Sequence, residues 1–161
     1  SAGSSEVPPL KVGDVVPDLK LVGSDGKSYS FRKIVADGDA LVVAWIPKAG
    51  TPGWTTECKA LRDSADEIAK YRAKVFVISC DSLEKNRKFA EELQLPFPVL
   101  SDPDRKAARA FGVDRAFGLS KRHTFYFGPE GKLRVIDDNV QISRHGSAVL
   151  LKLKEQLVPL R

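Results

Sequence analysis

Unbroken apolar runs alternate along the chain with apolar stripes of helical period. Ala40 to Ile46 (ALVVAWI) is one such run, bounded by Gly38-Asp39 and Pro47, and predicts a central strand covered on both faces. From Pro52 to Arg72 the residues Trp54, Cys58, Leu61, Ala65 and Ile68 recur at steps of four and three, which predicts a single helix with one buried stripe. Lys74 to Ser79 (KVFVIS) reads as a second buried strand. Ser82 fits the N-cap of a helix running to Leu93, with Leu83, Phe89, Ala90 and Leu93 inward.

Shorter elements complete the pattern. Asp18 to Val22 and Lys27 to Phe31 flank a turn-rich tetrapeptide and predict a hairpin. Val99-Leu100 is a short strand, Asp104 to Phe111 a short helix closed by Gly112, and His123 to Gly128 with Leu133 to Asp137 a second hairpin. Gly146 to Leu157 supplies a last amphipathic helix. This order implies an α/β architecture, a mixed central sheet with helices on both faces and an N-terminal β-hairpin.

Composition adds bounds. The 161 residues, 42% apolar and 29% charged, suit one globular domain. Ser1 to Pro9 (SAGSSEVPP) reads as a flexible leader, so residues 1–10 are taken as leader and 11–161 as the single domain. The net charge of +5 comes from basic residues scattered among acids, which gives no support for nucleic-acid binding. The longest apolar runs stop far short of the roughly 20 residues a membrane-spanning helix needs. Two cysteines, Cys58 and Cys80, exclude a disulfide framework and leave two readings open, core filler or redox chemistry.

The densest unusual stretch, Trp45 to Lys59 (WIPKAGTPGWTTECK), joins the end of the central strand to the start of the long helix. Reaction sites of α/β sheets gather at that edge. Thr51 followed by Pro52 is a helix-start signature, Thr as N-cap and Pro at N1. Residue 54 then sits in the first turn, where unpaired N–H groups and the helix dipole favour a thiolate. Residue 54 is tryptophan.

Pro47-x-x-x-Thr51-x-x-Trp54 resembles the peroxiredoxin signature Pro-x-x-x-Thr-x-x-Cys with its cysteine replaced. Further matches are Lys11-Val-Gly-Asp14 with Pro17, the Thr-Pro-Gly-x-Thr-Thr-Glu core of Thr51 to Glu57, Leu61-Arg-Asp63, Val77-Ile-Ser79 with Asp81, Phe97 to Asp102, Phe111-Gly-Val113 and Arg122-His-Thr-Phe125. Together they resemble the Q-type, or bacterioferritin-comigratory, peroxiredoxins of the AhpC/TSA superfamily over nearly the whole chain after residue 10. The resemblance implies a thioredoxin-like fold and a thiol peroxidase that reduces hydrogen peroxide or organic hydroperoxides with electrons from thioredoxin or a similar dithiol. It implies no organic cofactor and no metal, and a monomer or weak homodimer. Residue by residue, Thr51 would hydrogen-bond the peroxide, Pro47 would shield the nucleophile, and Arg122 would lower the thiolate pKa and polarise the peroxide. The peroxidatic position falls on Trp54, and indole cannot form a sulfenic acid. The resolving cysteine of many members falls on Lys59, so Cys58 stands one position short; related sequences with Cys-Thr-x-Glu-Cys-Lys make Cys58 the second cysteine.

Trp54 has three explanations: natural loss of activity, an engineered change, or a recoded position, since the tryptophan codon is one base from the cysteine codons and from UGA, which can encode selenocysteine. The alternative function is a redox-silent thioredoxin-fold binding protein with Trp54 plugging the former active site. Crossover topology brings Cys80 back to the edge where the long helix starts, so a Cys58–Cys80 disulfide is one expectation. His123 and His145 lack a metal-ligand or Cys-His pattern and are expected at surface or strand positions. The compartment stays open between bacterial periplasm or export and cytoplasm.

Overall fold

Seven strands form one mixed sheet in the computed structural model, which describes residues 8–161. In chain order the elements are β1 (Lys20–Gly23), β2 (Ser28–Ser30), α1 (Phe31–Ala36), β3 (Ala40–Trp45), α2 (Pro52–Asp63), α3 (Ala65–Ile68), β4 (Ala73–Ser79), α4 (Leu83–Glu92), β5 (Val99–Ser101), α5 (Lys106–Phe111), β6 (Thr124–Phe127), β7 (Leu133–Asp137) and α6 (His145–Glu155). The strand order is β2-β1-β5-β4-β3-β6-β7. β3, β4 and β5 pair in parallel, and antiparallel strands extend the sheet on both sides. Every residue of β3 is buried, as its unbroken apolar run requires of an interior strand.

Alternation along the strands divides the core in two. Leu41, Val43, Trp45, Phe76, Ile78, Leu100, Phe125 and Phe127 face α1 and α5. Val42, Ala44, Val77, Val99 and Tyr126 face the other way, onto Trp54, Cys58 and Leu61 of α2, Ala90 of α4, and Val149 and Leu153 of α6. No helix among the described residues is long and apolar enough to cross a membrane.

Three details differ from the sequence expectation. The second hairpin strand stops at Ser30, whose side chain accepts from Lys33 N–H and starts α1; Phe31 and Val35, one turn apart, anchor that helix in the core. The long helix is broken at Ser64, between α2 and α3. There α6 comes close: a Cβ on Gly146 would lie 2.2 Å from the Ala60 carbonyl oxygen and 2.4 Å from Ser64 Oγ. On α4 the fully buried side chain is Asn86, which donates to Ser101 Oγ at 2.8 Å and accepts from Ser79 Oγ at 3.1 Å. The expected leader falls mostly on residues 1–7, outside the described residues; Leu10 packs against the aromatic side of the core.

Candidate active site

The carboxyl ends of β3 and β4 lie side by side, and the chain leaving β3 turns at once into α2. Ala49 N–H donates to Asp81 Oδ2 at 2.7 Å, and Asp81 also pairs with Lys85 at 3.4 Å, so the segment after β4 pins the loop that carries Pro47. Thr51 caps α2. Its hydroxyl accepts from Trp54 N–H at 3.3 Å and donates to the Lys48 carbonyl at 2.9 Å, which leaves Oγ1 one further lone pair.

Arg122 arrives from the opposite side of β3. Trp45 N–H donates to the His123 carbonyl at 2.9 Å and Ser120 Oγ to the Ile46 carbonyl at 3.2 Å, lashing residues 120–123 to the strand end. The guanidinium lies over the first turn of α2, where a Cβ on Gly53 would be 2.9 Å from Nη2. A Cβ there would push the guanidinium tip aside. Nη1 donates to Glu57 Oε1. Glu57 is fully buried, and its Oε2 lies 2.6 Å from Nδ1 of the fully buried His145, whose Nε2 lies 3.0 Å from Thr124 Oγ1. A chain of polar groups thus runs from the mouth of the site into the core, through Arg122, Glu57, His145 and Thr124.

Pro47, Thr51, residue 54 and Arg122 are therefore gathered at one sheet edge. Trp54 is fully buried in the cluster that holds Cys58 and Leu61, and its indole N–H has no hydrogen-bond partner. Cys58, one turn on, is also fully buried. Burial first, and then the neighbouring Glu57 carboxylate, push its thiol pKa up, against the smaller opposing pull of Arg122. Cys80 is half-buried, and burial followed by the Asp102 carboxylate pushes its thiol up to about 11.

Two expectations are corrected. Both cysteines are free, and the expected pair is not brought together. Cys80 packs with the cluster on the α1 and α5 side of the sheet while Cys58 lies in the cluster on the α2 side, so the strands stand between them. His145 is not at the surface; with Val149 and Leu153, at successive steps of four, it lines the buried side of α6. His123 is half-buried at the mouth of β6, and desolvation is the main cause of its lowered pKa. Among the described residues no group of three or more His, Cys, Asp or Glu is placed to hold a metal ion.

Sequence reasoning gave no role to Glu57, met only as the last residue of the Thr-Pro-Gly-x-Thr-Thr-Glu core, or to His145, although both left a further trace. Glu57 stands on the apolar stripe of its helix between Trp54 and Leu61, where a carboxylate needs a buried partner. His145 carries the spacing of an apolar helix face.

An interior parallel strand that feeds a capped helix, with an arginine returned to that helix by the segment just before an antiparallel strand, defines an α/β protein of thioredoxin-like architecture whose candidate site lies at the end of β3. The sequence model of the AhpC/TSA family matches residues 12–136, and the chain belongs to that family. Its relatives are peroxiredoxins of the Bcp and Q type. Peroxiredoxin Bcp of Escherichia coli K12 is 35% identical over 154 residues, covering 91% of this chain and 97% of its own. Peroxidoxin BcpB of Mycobacterium tuberculosis superposes with a TM-score of 0.81 at 32% identity, over 91% of this chain and 97% of that one. The bacterioferritin comigratory protein of Xanthomonas campestris, whose alkyl peroxide reduction activity was followed through trapped intermediate and ligand complexes, matches at 32% identity, TM-score 0.81 and the same coverages.

Proposed function

We propose that this chain is a thiol peroxidase scaffold of the Bcp type in which Trp54 occupies the nucleophile's place, so that the chain as it stands does not turn over hydroperoxide. The observation that carries this reading is the burial of Trp54 at the capped start of α2, with Thr51 and Arg122 beside it. A thiolate at that point would attack one peroxide oxygen, take it as sulfenic acid and release water or an alcohol. A second thiol would then condense with the sulfenic acid, releasing water, and a dithiol such as thioredoxin would reduce the resulting disulfide. Thr51 would accept the peroxide hydrogen on its remaining lone pair, Arg122 would stabilise both thiolate and departing oxygen, and Pro47 would keep water out. Neither existing thiol replaces residue 54. Cys58 is sealed and Cys80 faces the other side of the sheet, both with raised pKa.

The burial of Trp54 among core side chains also favours a second reading, a redox-silent binding protein whose old pocket is plugged. Peroxide consumption, measured with thioredoxin or a small dithiol as reductant, separates the two. Trp54→Cys is expected to turn over hydroperoxide while the unsubstituted chain does not. A Trp54→Cys protein that is folded and inert supports the plug. If the unsubstituted chain already turns over and Cys58→Ser abolishes it, Cys58 is the nucleophile and the proposal fails.

A further inference from the structure

Two arginine–glutamate pairs in this chain use the guanidinium differently. Arg134 grips Glu130 with two hydrogen bonds, Nε to Oε1 at 2.9 Å and Nη2 to Oε2 at 2.8 Å, the fork that the two planar groups favour. Arg122 donates to Glu57 through Nη1 alone. The other carboxylate oxygen, Oε2, lies 2.6 Å from Nδ1 of His145, and neither atom makes a hydrogen bond of good geometry among the described residues. A carboxylate only accepts, so Nδ1 is the ring nitrogen that carries hydrogen toward it. Nε2 is then left to accept from the hydroxyl of Thr124, 3.0 Å away.

The consequence falls on Arg122. With Oε2 turned toward His145, the guanidinium meets Glu57 through Nη1, and Nη2 lies over Gly53, the residue before position 54. Glu57, His145 and Thr124 are all fully buried, so no water competes for these contacts and the division of the two carboxylate oxygens is maintained.

We propose that His145 is a positioning residue for chemistry at position 54: by taking Oε2 of Glu57 it restricts Arg122 to a one-point contact and leaves its second amino group facing the nucleophile's place. The inference rests on the assignment of position 54 proposed above. Losing the Nδ1 donor frees Oε2, the Arg122–Glu57 fork closes, and positive charge withdraws from the start of α2.

The test uses the thiol introduced by Trp54→Cys, followed by its ultraviolet thiolate absorbance against pH, with the unsubstituted chain subtracted, and by its rate of alkylation with iodoacetamide. His145→Gln, whose amide reaches the place of Nε2, is added to one sample, and His145→Asn, whose amide reaches the place of Nδ1, to another. His145→Gln is expected to raise the pKa of the introduced thiol by about 1 and to slow alkylation at neutral pH about tenfold. His145→Asn is expected to recover alkylation to within about twofold of Trp54→Cys alone. Equal behaviour of the two folded variants overturns the proposal. Should neither variant fold, nitrogen NMR of the histidines in the unsubstituted chain decides it: a proton on Nδ1 of His145 upholds the arrangement, and one on Nε2 alone overturns it. The two readings fail separately. A Trp54→Cys protein inert to peroxide but still showing the Gln-versus-Asn difference removes the peroxidase reading and leaves this one standing. A Trp54→Cys protein that reduces peroxide with no such difference does the reverse.

Discussion

On the α1 and α5 side of the sheet, Phe111 sits among rings: its centroid is 4.9 Å from Phe125, 5.5 Å from Trp45, and 6.1 Å from both Phe31 and Phe127. On the α2, α4 and α6 side, the same depth of burial holds Glu57, His145, Thr124, Asn86 and Ser79. The first side is held by area and ring geometry, which tolerate no gap but are indifferent to charge. The second combines apolar packing with polar groups that are costly to bury and more costly to leave unpaired. The polar chain on that side ends at Arg122, over the capped start of α2. The molecule therefore places its aromatic cluster and its buried polar network on opposite faces of one sheet.

The sharpest way to break that division is to remove the central member of each side. Phe111→Ala is expected to lower the free energy of unfolding by about 4 kcal/mol, since a large ring leaves a cavity that its neighbours cannot refill. Glu57→Leu is expected to cost about 3 kcal/mol, because Arg122 and His145 lose the carboxylate between them. Urea unfolding measures both. The mechanisms separate when partners change: adding Arg122→Met and His145→Leu to Glu57→Leu is expected to recover most of the loss, as apolar replacement of a whole buried polar set often does. An additive loss from the three substitutions would mean that they do not act as one network.

The same contrast explains what the sequence made legible. Apolar runs and stripes are local signals, so β3, β4 and α4 were readable to within a few residues, and Thr51-Pro52 marked the start of α2, though not its end, because capping is decided by adjacent residues. Pro47, Thr51, position 54 and Arg122 came from the resemblance to the peroxiredoxins, and the fold gathers them at one edge. What was not readable depends on partners far apart in the chain. The disulfide expectation brought the right sheet edge together but ignored strand parity: Cys80 shares the side of Phe76 and Ile78, whereas α2 covers the side of Val77. Glu57 and His145 meet only after α6 packs on α2, and neither residue's local pattern names the other. The break at Ser64 likewise reflects the close approach of α6, which no helix periodicity records.

The two thiols sharpen the contrast further, because each samples one side of the sheet. Cys80, with its pKa pushed up to about 11 mainly by burial, is expected to react with iodoacetamide at pH 8 about 100-fold more slowly than an unfolded thiol, given the scarcity of thiolate. Its rate should climb with pH toward 11. The sign of the linkage agrees: the folded state holds this proton more tightly, so the stability it contributes is complete below the unfolded thiol's pKa and is lost as pH rises through the folded value. Cys58 lies deeper on the other side and is expected to label only through opening of the structure. Mass spectrometry of the alkylated cysteines against pH distinguishes the two; labelling of Cys58 faster than Cys80 would show that the α2 side opens locally.

The smallest effect is expected from the pair that looks strongest by hydrogen-bond count. Arg134 and Glu130 form a fork, but Glu130 is exposed and Arg134 also donates to the Gln156 carbonyl at 2.7 Å. Water competes for both charges, so Glu130→Ala is expected to cost less than about 1 kcal/mol at neutral pH. Arg134 is the chief cause of the lowered pKa of Glu130, so that contribution is present above the unfolded carboxyl's pKa and disappears as pH falls through the folded one. Urea unfolding of Glu130→Ala and the unsubstituted chain, at neutral pH and again at a pH below the folded pKa, should show the difference vanish in acid. The contacts of a fully buried carboxylate would then outweigh the two hydrogen bonds to an exposed one, because exclusion of water, more than the number of contacts, sets what an ion pair contributes in this fold.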